Sequence, residues 1–353
     1  MKLDETATLR GEPLAMPRSH SLRRDDTERP SLMLAADVGG THARIGLLQA
    51  RAGAQPPLEM LARHVYECAK WPGLGEILQD FLAHQANGRG GIARCALAVA
   101  GYLRGDELVA ENLRWPVRIS ELRAHLKLDC LDIVNDFEAL ARGTRFLSVS
   151  DSIAVIDANG AKGPTVVVGP GTGLGCAVLL PNGDAPIVMP SEAGHVALAP
   201  GNDREIEVLR RLCRDRGYVH TGHALSGPGL ANLYRALADI EGVAAVHAEP
   251  AAISAAAIGG GDPLAREALS MFCAMLGSFA GDLAVTFKAG GGVYLAGGIL
   301  PYIRDFLLAS EFRTRFFNKG VMREFLTAVP VRLIEHGQLG VFGAAATEMG
   351  KAG

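Results

Sequence analysis

Glycine-rich segments next to acids carry most of the chemical potential in this sequence. Asp37-Val38-Gly39-Gly40-Thr41 follows an apolar run. Backbone that approaches phosphate oxygens closely needs glycines, whose N–H groups are unshielded. Thr41 adds a hydroxyl donor, and Asp37 could hold Mg2+ directly or through a water. A plain hairpin with Gly39-Gly40 at its tip would read the same way. Gly171-Thr172-Gly173 offers the same resources and the same alternative. Asn135-Asp136 closes another apolar run. A carboxylate at a strand end beside an amide suits a general base, and it equally suits an N-cap for a helix over 137–142. The two roles are compatible. Glu192 and His195 are three residues apart in Ser191-Glu192-Ala193-Gly194-His195. Both can hydrogen-bond adjacent hydroxyls of a sugar, and no third ligand at a recognisable spacing makes them a metal site. His220 and His223, also three apart, read as surface residues of a glycine-containing loop.

The elements that position these groups alternate. Leu32–Ala36 and Ile45–Leu48 read as strands around a glycine turn. Leu74, Ile77, Leu78, Phe81 and Leu82 recur as one face of a helix. Cys95–Ala100 and Leu131–Val134 read as buried strands. The strand–glycine–strand pattern then returns at Thr165–Val168, Gly169–Gly175 and Cys176–Leu180, so each half of the chain supplies one glycine loop. Helices are predicted around 206–213 and 230–237, and Met271–Phe287 is apolar nearly all round, as a buried helix is. Val293–Ala296 runs into Gly297-Gly298. A strand over 329–334 and a helix over 341–349 complete an α/β pattern.

The chain has 353 residues, which suits two domains at roughly 150 residues each. A net charge of −3 gives no reason to expect nucleic acid or a membrane as partner. Cys68, Cys95, Cys130, Cys176, Cys213 and Cys273 are scattered through apolar runs and read as reduced core thiols of a cytoplasmic protein. No uninterrupted apolar run reaches the ~20 residues that span a bilayer. Residues 1–30 hold six Lys/Arg and six Asp/Glu and read as a disordered extension. No Walker A sequence, G-x-G-x-x-G turn or G-x-S-x-G elbow is present. Ser226, in Ser226-Gly227-Pro228-Gly229, reads as a turn residue.

Together these segments resemble the bacterial glucokinase family of the hexokinase–actin superfamily. The resemblance rests on Asp37–Thr41, Asn135-Asp136-Phe137, Gly169–Gly175, Glu192–His195, Leu225–Leu230 and Leu295–Ile299, in the family's order. Each is weak alone; together they are specific. The cysteine-rich zinc motif of the related repressor–kinase branch is absent, which points to the non-zinc branch. The resemblance implies a two-domain actin-like ATPase (ribonuclease H-like) fold with the active site in the interdomain cleft. The small domain would comprise 31–146 and 338–353, the large one 147–337. It implies ATP and Mg2+, with Ala36, Asp37, Val38, Gly39, Gly40, Thr41, Gly171, Thr172 and Gly173 at the phosphates and Gly297-Gly298 near the adenosine. Asn112, Asn135, Asp136, Glu192 and His195 would hold glucose, and Asp136 would take the 6-hydroxyl proton. Relatives often pair as homodimers, so a homodimer is the expected assembly.

One position departs from that pattern. The family usually carries a further sugar-binding glutamate three residues before the leucine of Leu225-Ser226-Gly227-Pro228-Gly229, where this chain has Gly222. Losing a charged hydrogen-bond partner costs roughly 1.5–3 kcal/mol, about ten- to a hundredfold in affinity. The expectation is weak glucose binding, a preference for another hexose or amino sugar, or a sugar-sensing paralogue of low activity.

Overall fold

The computed structural model describes residues 32–51, 57–85, 91–110, 113–148, 151–183, 186–214, 216–335 and 337–349. Asn112 and the charged N-terminal segment lie outside them. The first strand, β1 (Leu32–Val38), turns at Gly39-Gly40 and returns antiparallel as β2 (His42–Ala50), followed by β3 (Leu58–Glu67). The amphipathic helix α1 (Leu74–His84) crosses over to β4 (Arg94–Val99), which pairs parallel to β1. A small antiparallel sheet of β5 (Tyr102–Arg104), β6 (Glu107–Val109) and β7 (Val117–Arg118) comes next. Helix α2 (Ile119–His125) then leads into β8 (Cys130–Asn135), parallel to β4. The first large sheet thus has the order β3-β2-β1-β4-β8. Alternate residues of β1 serve different layers, as strand geometry requires. Leu34, Ala36 and Val38 join a core with Ile77, Leu78 and Phe81 of α1.

Helix α3 (Asp136–Gly143) starts where β8 ends and leads to β9 (Ser152–Ile156). The second glycine pattern forms the hairpin of β10 (Thr165–Pro170) and β11 (Leu174–Leu180), with only residues 171–173 left in the turn. After β12 (Ile187–Ser191) come α4 (Asp203–Cys213), α5 (Gly227–Glu241), α6 (Pro250–Gly259) and α7 (Pro263–Thr286). Strand β13 (Gly292–Leu295) pairs parallel to β10. The chain closes with α8 (Arg304–Ala309), α9 (Phe312–Phe317), α10 (Arg323–Thr327), β14 (Val331–Ile334) and α11 (Leu339–Met349). The second sheet has the order β12-β11-β10-β13-β14-β9. The class is α/β with mixed sheets, and each of the two large sheets contains a glycine-tipped hairpin beside a parallel strand.

Helix α7 is long and apolar enough, by length and composition, to cross a membrane, although three charged residues interrupt it. Its most apolar stretch is 78% buried inside the fold. Phe272, Met275, Leu276 and Ala280 sit in the largest core, with Leu233 and Leu237 of α5 and Phe312 and Phe316 of α9. It is therefore a core helix, as its all-round apolarity predicts. Below it, Glu205 of α4 and Arg315 of α9 form a buried bidentate ion pair at 2.5 and 2.9 Å. Glu205 also accepts from the Gly201 N–H at 2.6 Å, and Arg315 donates to Ser278 of α7 at 3.0 Å. These bonds anchor the segment that leads from the Glu192–His195 turn into α4. Among the cysteines, Cys68, Cys95, Cys176 and Cys273 are buried, whereas Cys213 at the end of α4 is exposed and is not a core thiol.

Candidate active site

Parallel pairing decides where the acids meet. Val38, Val99 and Asn135 stand in one row across β1, β4 and β8. The segments that follow Val38 and Asn135 therefore leave the same edge of the sheet, two strands or roughly 10 Å apart. In the second sheet Val168 pairs with Leu295, so the residue 171–173 turn and Gly297-Gly298 also share an edge. Gly297 adopts φ +99°, and a Cβ there would lie 2.3 Å from the Pro170 carbonyl oxygen. Only glycine allows that backbone to press against the neighbouring loop.

Asp37 is the penultimate residue of β1, its side chain is 21% exposed, and the guanidinium of Arg44 on β2 lies 3.8 Å away. Gly340 at the start of α11 faces its carboxylate so closely that a Cβ would sit 2.8 Å from the carboxyl carbon. Burial pushes the Asp37 carboxyl up to about 6; Arg44 opposes the rise and the charge of Asp136 adds to it. Asp37 and Asp136 thus feel one another electrostatically. Ala36 and Val38 are buried in the core, so only their backbone can reach a ligand. Gly39 N–H donates to the His42 carbonyl at 3.0 Å, closing the hairpin, and Thr41 at its side is exposed.

The helix cap falls one residue earlier than expected. Asn135 caps α3, its Oδ1 accepting from the N–H groups of Phe137 at 2.9 Å and Glu138 at 3.3 Å. Asp136 is the first helical residue, and its Oδ1 accepts from Phe137 N–H at 2.9 Å. Because the amide does the capping, one Asp136 oxygen is fixed and the other keeps its acceptor capacity. The Asn135 amide N–H2 likewise remains available as a donor. Burial raises the Asp136 pKa most, backbone N–H groups of Phe137 and Asp136 oppose it, and Glu192 adds to the rise. Phe137 packs on the second sheet, since a Cβ on Gly175 would overlap its ring.

Glu192 and His195 flank a short 3-10 turn after β12, with side chains 88% and 68% exposed and 3.9 Å apart. A cavity of about 460 Å3 opens between residues 191–199 and α7, and Glu192, Thr221 and Asp282 line it. His220 and His223 are not the surface residues the sequence suggests. Both are part-buried and stacked at 3.6 Å between ring centroids, and the His220 ring lies tilted against His195 at 4.6 Å. Gly222 lies between them, with room for a Cβ only 3.2 Å from the His220 ring.

Sequence reasoning also missed Ser226. It is the buried N-cap of α5, accepting from Gly229 N–H at 2.9 Å and donating to the Gly222 carbonyl at 2.7 Å. Ser before a proline-bearing first turn is a recognisable helix start. The next residue, Gly227, donates its N–H to the Gly171 carbonyl at 2.8 Å. The start of α5 thereby ties the histidine turn to the second glycine loop.

With this geometry in place, the similarity to known proteins can be read. A family model described as Glucokinase matches residues 34–350. The chain belongs to the glucokinase family. It is therefore an enzyme of that family. A glucokinase-like protein of Xylella fastidiosa (strain 9a5c) is 46% identical over 324 residues, covering 91% of this chain and 96% of that protein. A glucokinase of Saccharophagus degradans is 39% identical over 315 residues, covering 89% and 97%. The crystal structure of a glucokinase from an Antarctic psychrotroph superposes with a TM-score of 0.80 at 33% identity, covering 90% of this chain and 99% of that one. The fold of that glucokinase is thus shared over 90% of this chain. Ser226 and Gly227, although the sequence did not single them out as site residues, belong to one of the segments that carry the resemblance.

Proposed function

We propose that this enzyme transfers the γ-phosphoryl group of ATP to the 6-hydroxyl of glucose, with Asp136 as general base. The observation that carries the reading is the electrostatic convergence of Asp37, Asp136 and Glu192 from three different strand ends. The Asp136 carboxylate takes the hydroxyl proton as the sugar oxygen bonds to the γ-phosphorus, and the β–γ bridging oxygen leaves with ADP. A carboxylate raised by burial holds a proton more readily near neutral pH, which suits a base. Phe137 N–H fixes one oxygen of that carboxylate. Asn135, Glu192 and His195 hold the sugar, and Asn112 joins them from outside the described residues.

Asp37–Thr41 and Gly171–Gly173 grip the phosphates, with Ala36 and Val38 contributing backbone alone and Gly297-Gly298 lying near the adenosine. The donor set at Asp37 fits Mg2+. Asp37 and Asp136 are under-compensated carboxylates, and Mg2+ is typically held by one or two such groups together with waters and phosphates. Asp37 would hold it, directly or through a water, and when bound it supplies charge neutralisation on the phosphates. Water must be kept from the phosphoryl group. Residues 31–146 with 338–353 would act as one lobe and 147–337 as the other, closing over the sugar. The setting we infer is cytoplasmic, with a homodimer as assembly.

Gly222 favours a second reading, a preference for another hexose or an amino sugar. A panel of sugars with ATP and Mg2+ in a coupled ADP assay tests both. Glucose as the best substrate supports the first reading; ADP release only with another sugar replaces it with the second. Binding of sugar and nucleotide with no ADP release from any sugar would mark a sensor and overturn both. Closure is tested by small-angle scattering, in which saturating glucose is expected to compact the protein.

A further inference from the structure

The histidines at 195, 220 and 223 come from two segments laced together by hydrogen bonds. Thr221 N–H and Oγ1 both donate to the Val196 carbonyl at 2.8 and 2.9 Å, Leu198 N–H donates to the Val219 carbonyl at 3.0 Å, and Tyr218 Oη donates to the His195 carbonyl at 2.9 Å. An isolated bridge pairs Ala197 with His220. Within this frame the contact of His220 Nδ1 with the Gly194 carbonyl, at 3.0 Å, requires a proton on Nδ1, because a carbonyl only accepts. The His220 backbone N–H donates to His223 Nδ1 at 3.3 Å, which places the proton of a neutral His223 on Nε2. The rings then follow one another in the order His195, His220, His223, the first pair tilted by 40° and the second stacked.

The stack favours neutral rings. Burial pulls both His220 and His223 below the ordinary imidazole range, and the charges of His195 and Arg216 add to the effect. For His220 the Gly194 carbonyl opposes the shift. Glu192 and Arg216 are the charged side chains that bear on the group, with Tyr218 on the same segment. Gly222 completes the arrangement, because a side chain there would press on the His220 ring at 3.2 Å and on the Gly194 carbonyl oxygen at 3.3 Å. This inference rests on the proposed role of His195 in holding the sugar.

We propose that His220 is a positioning residue for His195: clamped to Gly194 and stacked on His223, it presents a ring tilted 40° against His195 and sets the orientation in which His195 meets the sugar. His195 is exposed and makes no other ring contact among the described residues, so the His220 ring and the Glu192 carboxylate 3.9 Å away are what bear on its side chain. The hydrogen bonds fix the register of the two segments, the ring contact adds a restraint on the His195 side chain, and Gly222 leaves space for it.

The test uses the full chain with histidine imidazoles labelled with carbon-13. Glucose is titrated while the His195 resonance is followed, and KM and kcat are measured for glucose and ATP. His220→Ala is expected to raise the glucose Kd and KM by about three- to tenfold, the range that one aromatic pair and one hydrogen bond carry. The ATP KM, kcat and melting temperature should stay close to wild type. His220→Phe keeps the ring and should remain within about threefold of wild type. Equal glucose affinity in wild type and His220→Ala overturns the proposal. So does glucose binding that leaves the wild-type His195 resonance unmoved, or a loss in His220→Phe as large as in His220→Ala with an unchanged melting temperature. If the binding contrast holds but no sugar elicits ADP release, the positioning role stands and the kinase reading falls.

Discussion

The two edges that face the site are built differently. On the first sheet Asp37 and Asp136 are held against backbone and burial: Asp37 is only 21% exposed, and Asp136 is pinned by the first N–H groups of α3. On the second sheet Glu192 and His195 stand 88% and 68% exposed on a short turn. One edge has its charges desolvated before any ligand arrives, so their proton affinities are already shifted. The other carries its polar groups in water and is ordered by hydrogen bonds to residues 218–221 and by the ring contact with His220. Groups that do chemistry profit from preorganisation in a low-dielectric setting. Groups that bind a hydroxylated ligand need only exchange water for it.

The largest expected effect that tests this contrast is at Asp136. Asp136→Ala should lower kcat by about 10²–10⁴, the usual worth of a positioned base, while the circular dichroism and melting temperature remain those of the parent. Retention of near-parental kcat would remove the distinction between the edges. Glu192→Gln should raise the glucose KM by about ten- to a hundredfold with little change in kcat. An equal fall in kcat would show that the exposed edge takes part in the chemistry. In pH terms, a base works only when deprotonated, and burial raises the Asp136 pKa. The acid limb of kcat/KM should therefore have its midpoint above the ordinary carboxylate range, measured between pH 4 and 8. A midpoint at or below about 4 would show that desolvation does not operate there.

The smallest effect concerns stability. A carboxyl whose folded pKa is raised contributes stability that is fully present below its unfolded pKa and lost as pH rises through the folded value, about 6 for Asp37. Asp37→Asn should therefore be more stable than the parent above that pH by about 1–2 kcal/mol, with the gain shrinking towards pH 4.5, as read by denaturant unfolding. The same substitution should lower activity. A parent that is the more stable at pH 7.5 would mean that Arg44 compensates the buried charge fully.

Much of this was legible because it is local. The run from Leu32 to Ala36 is continuously apolar and stops before Gly39-Gly40, and β1 and its hairpin follow. Leu74, Ile77, Leu78 and Phe81 mark α1 by period alone. The errors arose where two roles compete for one residue type. Asn135 and Asp136 can each cap a helix, and neighbouring residues alone do not decide which does. Ser226 was read as a turn although serine ahead of Gly227-Pro228 is also a helix start. His220 and His223 looked like loop surface because their partners, His195 and Gly194, lie some 25 residues away.

The sequence by itself determined the α/β class, the paired glycine loops and the residue types that a phosphoryl-transfer site needs, because strand and helix periods and glycine turns are short-range properties of the chain. Only the tertiary structure decided that Val38 and Asn135 share a sheet edge, that the charge of Asp136 helps raise the proton affinity of Asp37, and that three imidazoles meet beside Gly222. Register between distant strands and loss of solvent are set by packing across the whole fold, and no window of neighbouring residues contains them.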